Sequence, residues 1–255
     1  MSVLTSFAYD HGDDVLSGVR GGPPDAPVTA VLLHGAGKGS KARLLPLAQE
    51  FTHHGCRALA FDFSGHGEST GELRDLSLRR RFEQATAVID THAPDGRLIL
   101  VGFSMSGQTV ADLLAHYGER VTAIALAAPA VYAPEAWDER FGDGDAEFTR
   151  IIRTKDSWRT SPALTALRAY EGRAVLLVPG TDDVIPPEVT ESIEDALTTS
   201  AQYTRLELPD ATHQLGLWYR DHPESARQLT HHLLTGQNWT ATWNWLADET
   251  RSPLR

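Results

Sequence analysis

An open, mostly parallel sheet with helices on both faces is the fold class this sequence predicts, and three observations predict it. Short runs rich in Val, Ile, Leu and Ala recur at 28–33, 57–63, 98–101, 121–127 and 174–178. Runs of that length without polar alternation belong to strands buried on both faces. Between them lie segments whose apolar residues repeat at helical spacing, and regular alternation of strand and helix implies a parallel sheet. Most of the runs also end in clusters of glycine and polar residues. In a doubly wound sheet the carboxyl ends of the strands are where ligands gather.

Each element follows in order. The stretches SVLTSFAY and DVLSGVR near the start alternate weakly and suit an antiparallel hairpin. GGPPDAP at 21–27 is a surface turn. The strand at 28–33 runs into His34-Gly35-Ala36-Gly37, and a helical pattern follows through Leu44, Leu45, Leu47, Ala48 and Phe51. The strand at 57–63 ends in DFSGHGES, and the next helix, from about 76 to 91, carries Arg79-Arg80-Arg81. With Asp75 and Glu83 nearby, that triplet reads as a solvated face. After the strand at 98–101 come Gly102-Phe103-Ser104-Met105-Ser106-Gly107 and a helix marked by Thr109, Val110, Leu113, Leu114 and Tyr117. Beyond the strand at 121–127 the alternation breaks down. Residues 129–172 hold scattered aromatics, an acidic glycine-rich turn and one helix around 147–153. This stretch is too long for an ordinary connection and is expected as a cap inserted into a single domain spanning 1–255. Alternation resumes with a strand at 174–178, a helix at 189–197, a strand at 203–208 and a last helix at 225–234. A tail with Trp239, Trp243 and Trp245 closes the chain.

Composition narrows the function. With 255 residues, 41% of them apolar, the chain can bury a large core. A net charge of −11 argues against nucleic acid or an anionic membrane as partner. No apolar stretch approaches the roughly 18 residues of a membrane span, and no secretory leader is visible. The single cysteine, Cys56, excludes an internal disulfide and suits a reducing compartment, so a cytoplasmic location is expected. Beside an apolar strand, Cys56 reads as a buried packing residue.

The polar strand ends form one constellation. A buried strand, a tight turn with a serine at its tip and an apolar helix make up a nucleophile elbow, patterned G-x-S-x-G. Ser104 stands at the tip, with Ser106 in place of the final glycine. A serine hydroxyl needs a base, usually a histidine oriented by a carboxylate. His213 follows a late strand and is the candidate base. The carboxylate belongs on the strand end between serine and histidine, which leaves Asp182 and Asp183. Counting from Gly180 favours Asp183, and counting back from Val184-Ile185-Pro186 favours Asp182. Asp183 is preferred, with Asp182 as the alternative. The oxyanion formed on attack needs two backbone donors. Met105 N–H, just after the serine, and Ala36 N–H, in the loop after the first buried strand, are the candidates.

The motifs LLHGAG (32–37), DFSGHGES (62–69), VGFSMSG (101–107), GTDDVIPPEV (180–189) and DATH (210–213) together resemble the α/β-hydrolase fold, in the broad esterase, lipase and serine-aminopeptidase group. They cover most of the chain in the order Ser, Asp, His. The resemblance implies a serine hydrolase acting through an acyl-enzyme on a small-molecule acyl substrate, a carboxylic ester above all. Thioesterase, amidase or peptidase and carbon–carbon bond hydrolase use the same triad and remain open. A non-catalytic binding protein on this fold is a further alternative. The resemblance implies no metal and no cofactor, and says nothing of oligomeric state. It also implies that 129–172 is a lid, whose Trp137, Phe141, Phe148 and Trp158 would lie over Ser104 and His213. With Phe103, its Trp137, Phe141 and Trp158 are the candidate substrate contacts. Gly35-Ala36-Gly37-Lys38-Gly39-Ser40 also resembles the tail of a P-loop, but Leu32 stands where its first glycine belongs.

Overall fold

Side chains of a strand point alternately to opposite faces, and in this protein that alternation builds two cores. In β3 (Val28–Leu33), Ala30 and Leu32 join one apolar cluster while Val31 and Leu33 join the other, and every residue of the strand is buried. The computed structural model describes residues 4–199 and 202–235, so the expected tail with Trp239, Trp243 and Trp245 lies outside the described residues.

The remaining strands are β1 (Thr5–His11), β2 (Asp14–Gly21), β4 (Arg57–Phe61), β5 (Arg97–Phe103), β6 (Val121–Ala127), β7 (Arg173–Thr181) and β8 (Gln202–Thr212). They form one sheet in the order β1-β2-β4-β3-β5-β6-β7-β8. The hairpin β1-β2 and the β2-β4 pair are antiparallel, and the rest of the sheet is parallel. Against one face pack α1 (Leu45–His53), α7 (Leu215–Asp221) and α8 (Pro223–Leu234), through Leu47, Phe51, Leu215, Tyr219, Leu229 and Leu233. The strands turn Ala30, Ala58, Ala60, Ala123 and Ala125 toward that face, and such small side chains let helices approach closely. The other face takes α2 (Leu78–His92), α3 (Ser106–Tyr117), α5 (Pro162–Arg168) and α6 (Pro187–Leu197). Among the described residues no helix is long and apolar enough to cross a membrane.

Two short helices escape the apolar periodicity. Helix α7 begins two residues after His213 and has too few turns to show a repeat. For α5 a signal existed at the other end. The Ser161 hydroxyl caps the N–H of Ala163 and Pro162 opens the helix, the usual marks of a helix start.

The 129–172 segment, which also contains α4 (Glu147–Arg153), lies against the α2 and α3 side. Phe141 N–H donates to Leu76 O at 2.8 Å, Gly142 N–H to Arg74 O at 2.9 Å, and Arg79 N–H to Trp137 O at 3.0 Å. Phe141 and Phe148 are buried in the main core with rings 4.6 Å apart, and Trp137 reaches Phe82 of α2 at 5.9 Å. On α3, Gln108 is the joint. Its Oε1 accepts Tyr132 N–H at 3.0 Å and Ser161 Oγ–H at 3.1 Å, and its Nε2 donates to Asp112 at 2.9 Å.

Asp112 has one oxygen, Oδ2, buried without a partner. Burial pushes its carboxyl up to about 7, and the Gln108 bond offsets only part of that. The unfolded chain gives up this proton near pH 4, whereas the folded protein keeps it to about 7. Between those values the native state binds more protons, so this group makes stability fall as pH rises. Asp112→Asn therefore should gain little over the parent at pH 4 and on the order of 1 kcal/mol at pH 8, read by urea unfolding. An equal gain at both pH values would contradict the buried carboxyl.

Candidate active site

Ser104 sits between β5 and α3 with φ of +51°, a backbone region a serine occupies only under constraint. Three hydrogen bonds supply the constraint. Ser104 N–H donates to Ala127 O at 2.9 Å, and Ser104 O accepts Gly107 N–H at 2.8 Å and Ala130 N–H at 3.0 Å. Gly102 is required two residues earlier, because a Cβ there would lie 2.6 Å from Ser106 O. The turn lifts the serine hydroxyl toward the loop after β8, where His213 Nε2 lies 3.0 Å from Ser104 Oγ. His213 Nδ1 in turn lies 3.0 Å from Asp182 Oδ2.

The acid partner of His213 is therefore Asp182, and the preference for Asp183 is corrected. Strand β7 continues to Thr181, so Asp182 is the first residue past it. Its Oδ1 accepts the N–H groups of Val184 and Ile185, both at 2.9 Å, which turns Oδ2 toward the histidine. Asp183 is exposed on the outside of that turn. Burial alone would raise the pKa of Asp182. The hydrogen bonds from His213, Ile185 and Val184 outweigh it and hold the carboxyl below its ordinary value, so it is an anion near neutrality.

The loop after β3 closes against the serine. A Cβ on Gly35 would lie 3.0 Å from Ser104 Cβ, tighter than an ordinary contact, so glycine lets this backbone come near without pushing on the serine. Ala36 and Ser104 line the same cleft, and Met105 stands at the N-terminus of α3. Among the described residues neither Ala36 N–H nor Met105 N–H donates to another group. Both donors are thus free for a ligand oxygen.

Sequence reasoning missed what holds that loop. His34, at the end of β3, is buried, and its Nδ1–H donates to Gly35 O at 2.6 Å while Nε2 accepts Phe63 N–H at 3.1 Å. Burial first, then the charge of Arg81 and the neighbouring His66, pushes its pKa far down, and the neutral ring fits both bonds. The His34 carbonyl accepts Ser106 Oγ–H and Arg81 Nη2–H, each at 2.7 Å, and the same Arg81 nitrogen also donates to Ser106 Oγ at 2.7 Å. Ser106 therefore occupies its glycine position with a purpose. Arg81 corrects the reading of the arginine triplet as a solvated face. Arg79 is exposed and pairs with Asp138, Arg80 pairs with Asp14 at 2.8 Å, and Arg81 is fully buried. Helical geometry turns successive residues about 100° apart, and the third of three lands on the core face.

The cleft over Ser104 and His213 has a volume of about 640 Å³. Phe103 lines it. Trp137, Phe141 and Trp158 do not, and their assignment as substrate contacts is corrected. Their apolar faces are satisfied on the main core, at the α2 and α3 side, instead of over the serine. The walls come from the loop after β3 and from Gln214, Leu215 and Leu217 after the histidine, residues with no sequence signal beyond their position.

The family model described as serine aminopeptidase, S33, matches residues 24–151, half of the 255-residue chain. This protein belongs to that family. The match ends before the 129–172 segment does, and it contains the elbow and the loop after β3 but not Asp182 or His213. No curated protein matches this family member by sequence. Among solved structures, a thioesterase domain from the curacin biosynthetic pathway superposes with a TM-score of 0.68 at 16% identity, covering 89% of this chain and 99% of that one. Est1E from Butyrivibrio proteoclasticus, solved with ferulic acid, gives a TM-score of 0.66 at 18% identity, covering 89% and 98%. The Pyrococcus furiosus esterase Pf2001 gives 0.64 at 17% identity, covering 91% of each chain. At such identities these likenesses speak for the α/β-hydrolase fold of this S33 family member.

Ser106→Ala should remove one of the two donors on His34 O and leave the other. The expected cost is about 1 kcal/mol of stability in chemical denaturation. A loss above about 3 kcal/mol would mean that Arg81 does not hold the carbonyl alone.

Proposed function

We propose that this protein is a serine hydrolase that cleaves small carboxylic esters through an acyl-enzyme. The observation that carries the reading is the unbroken line from Asp182 through His213 to Ser104, with both hydrogen bonds at 3.0 Å. His213 Nε2 takes the proton of Ser104 Oγ as that oxygen bonds to the substrate carbonyl carbon. The carbonyl π electrons move onto oxygen, and Ala36 N–H and Met105 N–H receive the negative charge. Asp182, an anion held by Val184 and Ile185, keeps Nδ1–H of His213 in place and stabilises the imidazolium. Collapse of the tetrahedral carbon expels the alkoxide, which takes the proton from His213 Nε2 and leaves acyl-Ser104. Water then attacks with His213 again as base, releasing the acid and restoring the serine. The N-terminus of α3 adds a favourable field at the oxyanion, since helix N-termini favour negative charge.

A cytoplasmic location belongs to the same proposal, supported by a single cysteine that allows no internal disulfide.

Hydrolysis of a nitrophenyl ester series, with fluorophosphonate labelling alongside, tests the assignment. Ser104→Ala should lose both labelling and turnover while keeping its thermal unfolding transition. Asp182→Asn should cost about 10⁴ in turnover, and Asp183→Asn less than about threefold. A parent protein that neither labels nor hydrolyses would make the pocket a binding site instead.

A further inference from the structure

In a protein of net charge −11, an arbitrary patch of surface repels anions. The cleft wall reverses that sign. Its charged members are Lys38 and Arg43, and no aspartate or glutamate lines it. Lys38 lies in the glycine-rich run Gly35-Ala36-Gly37-Lys38-Gly39-Ser40, the stretch that resembled a phosphate-binding loop, and all six residues line the cleft. Gly35 at the start of this run lies next to Ser104, since a Cβ on it would come 3.6 Å from Ser104 Oγ. Arg43 comes from the next turn of chain. Its Nη1 donates to Gln214 Oε1 at 2.8 Å, and Gln214 directly follows His213. Gly216 makes room for the arginine stem, since a Cβ there would lie 3.3 Å from Arg43 Cβ and 3.8 Å from its Cδ. The bond to Gln214 ties the guanidinium to the residue after the histidine, and the rest of its donor fork has no partner among the described residues. Neither Lys38 nor Arg43 forms an ion pair among the described residues. By contrast Lys41, three residues beyond Lys38, is neutralised by Asp62 and Glu68, both at 2.7 Å. Both cations line the cleft that also holds Ser104 and His213. A volume of about 640 Å³ fits one small ligand, so a group reaching either cation stays within a ligand's length of Ser104.

We propose that Lys38 and Arg43 make this cleft selective for esters or thioesters that carry an anionic group, a carboxylate or a phosphate, close to the scissile carbonyl. The proposal rests on the serine-hydrolase reading above and adds the substrate class. The carboxylate would arrive on the acyl side and the phosphate on the leaving-group side.

Two substrate pairs separate these sources. For the acyl side, mono-4-nitrophenyl glutarate is compared with 4-nitrophenyl pentanoate. For the leaving-group side, S-acetyl phosphopantetheine is compared with S-acetyl pantetheine. In at least one pair the anionic member should have a kcat/KM higher by roughly tenfold at low salt, carried mainly by KM. The advantage should shrink in about 0.5 M NaCl, where exposed charges are screened. Lys38→Glu with Arg43→Glu should invert the preference, and each single variant should reduce it. The single variants serve if the double variant melts below the assay temperature. Neutral members cleaved as fast as anionic ones, with fluorophosphonate labelling intact, would overturn the proposal and leave the hydrolase reading standing. So would variants that slow both members of each pair equally. Failure to label or to cleave any of the four substrates would overturn both.

Discussion

A guanidinium taken wholly out of water ordinarily needs a carboxylate, and Arg81 has none among the described residues. Its Nε and Nη1 are buried without partners, and burial pulls its pKa down to about 9. What it has instead is the His34 carbonyl, the Ser106 hydroxyl and the face of Phe63, whose ring centre lies 3.7 Å from Cζ. A cation over a desolvated aromatic ring gains on the order of 2 kcal/mol. The rest of the charge is met by oxygen dipoles, the polar environment being strongest where water is absent. Through those partners one side chain of α2 links the first turn of α3 to the loop after β3. That link ties the elbow to the loop that carries Ala36.

A second brace stands beside it and uses the opposite solution. Asp62, buried at the end of β4, accepts Lys41 N–H at 2.6 Å, Lys41 Nζ–H at 2.7 Å and Glu68 N–H at 2.9 Å. Burial opposes the lysine charge, but the bonds from Asp62 and Glu68 outweigh it and hold the ammonium above its ordinary pKa. The loop carrying Lys38 is therefore pinned at both ends, by His34 at its start and by Lys41 just beyond it. Between those pins the chain is rich in glycine, and although Gly39 N–H donates to Ala36 O at 3.2 Å, Ala36 N–H has no partner among the described residues.

The sheet was legible because its central strands are apolar on both faces, a pattern that survives without knowledge of any neighbour. Ser104 was legible because it follows directly on such a strand, and His213 because it follows directly on β8, the last strand, although that edge strand is largely exposed. The acid was not, because two aspartates stand side by side and their roles differ only in which side chain the backbone turn faces inward. Spacing pointed both ways, to Asp183 counted from Gly180 and to Asp182 counted back from Val184, and the N–H groups of Val184 and Ile185 decide for Asp182. Arg81 and the aromatics of 129–172 misled for the converse reason. Charge suggested water and aromatic rings suggested a ligand, while the fold turned both toward the core. The α/β-hydrolase resemblance gave the order of the catalytic set, and it could not give the direction in which an inserted segment packs.

The lone thiol has a practical meaning of its own. Cys56 is 3% exposed and closed to alkylating reagents in the native state. A cysteine introduced on the rim would thus be the sole reactive sulfur in the molecule. Val184 is the natural place, because its side chain is 58% exposed and lines the cleft next to the loop that holds Asp182. A fluorophore attached there would report occupancy of the cleft in real time, for any ligand, without requiring turnover.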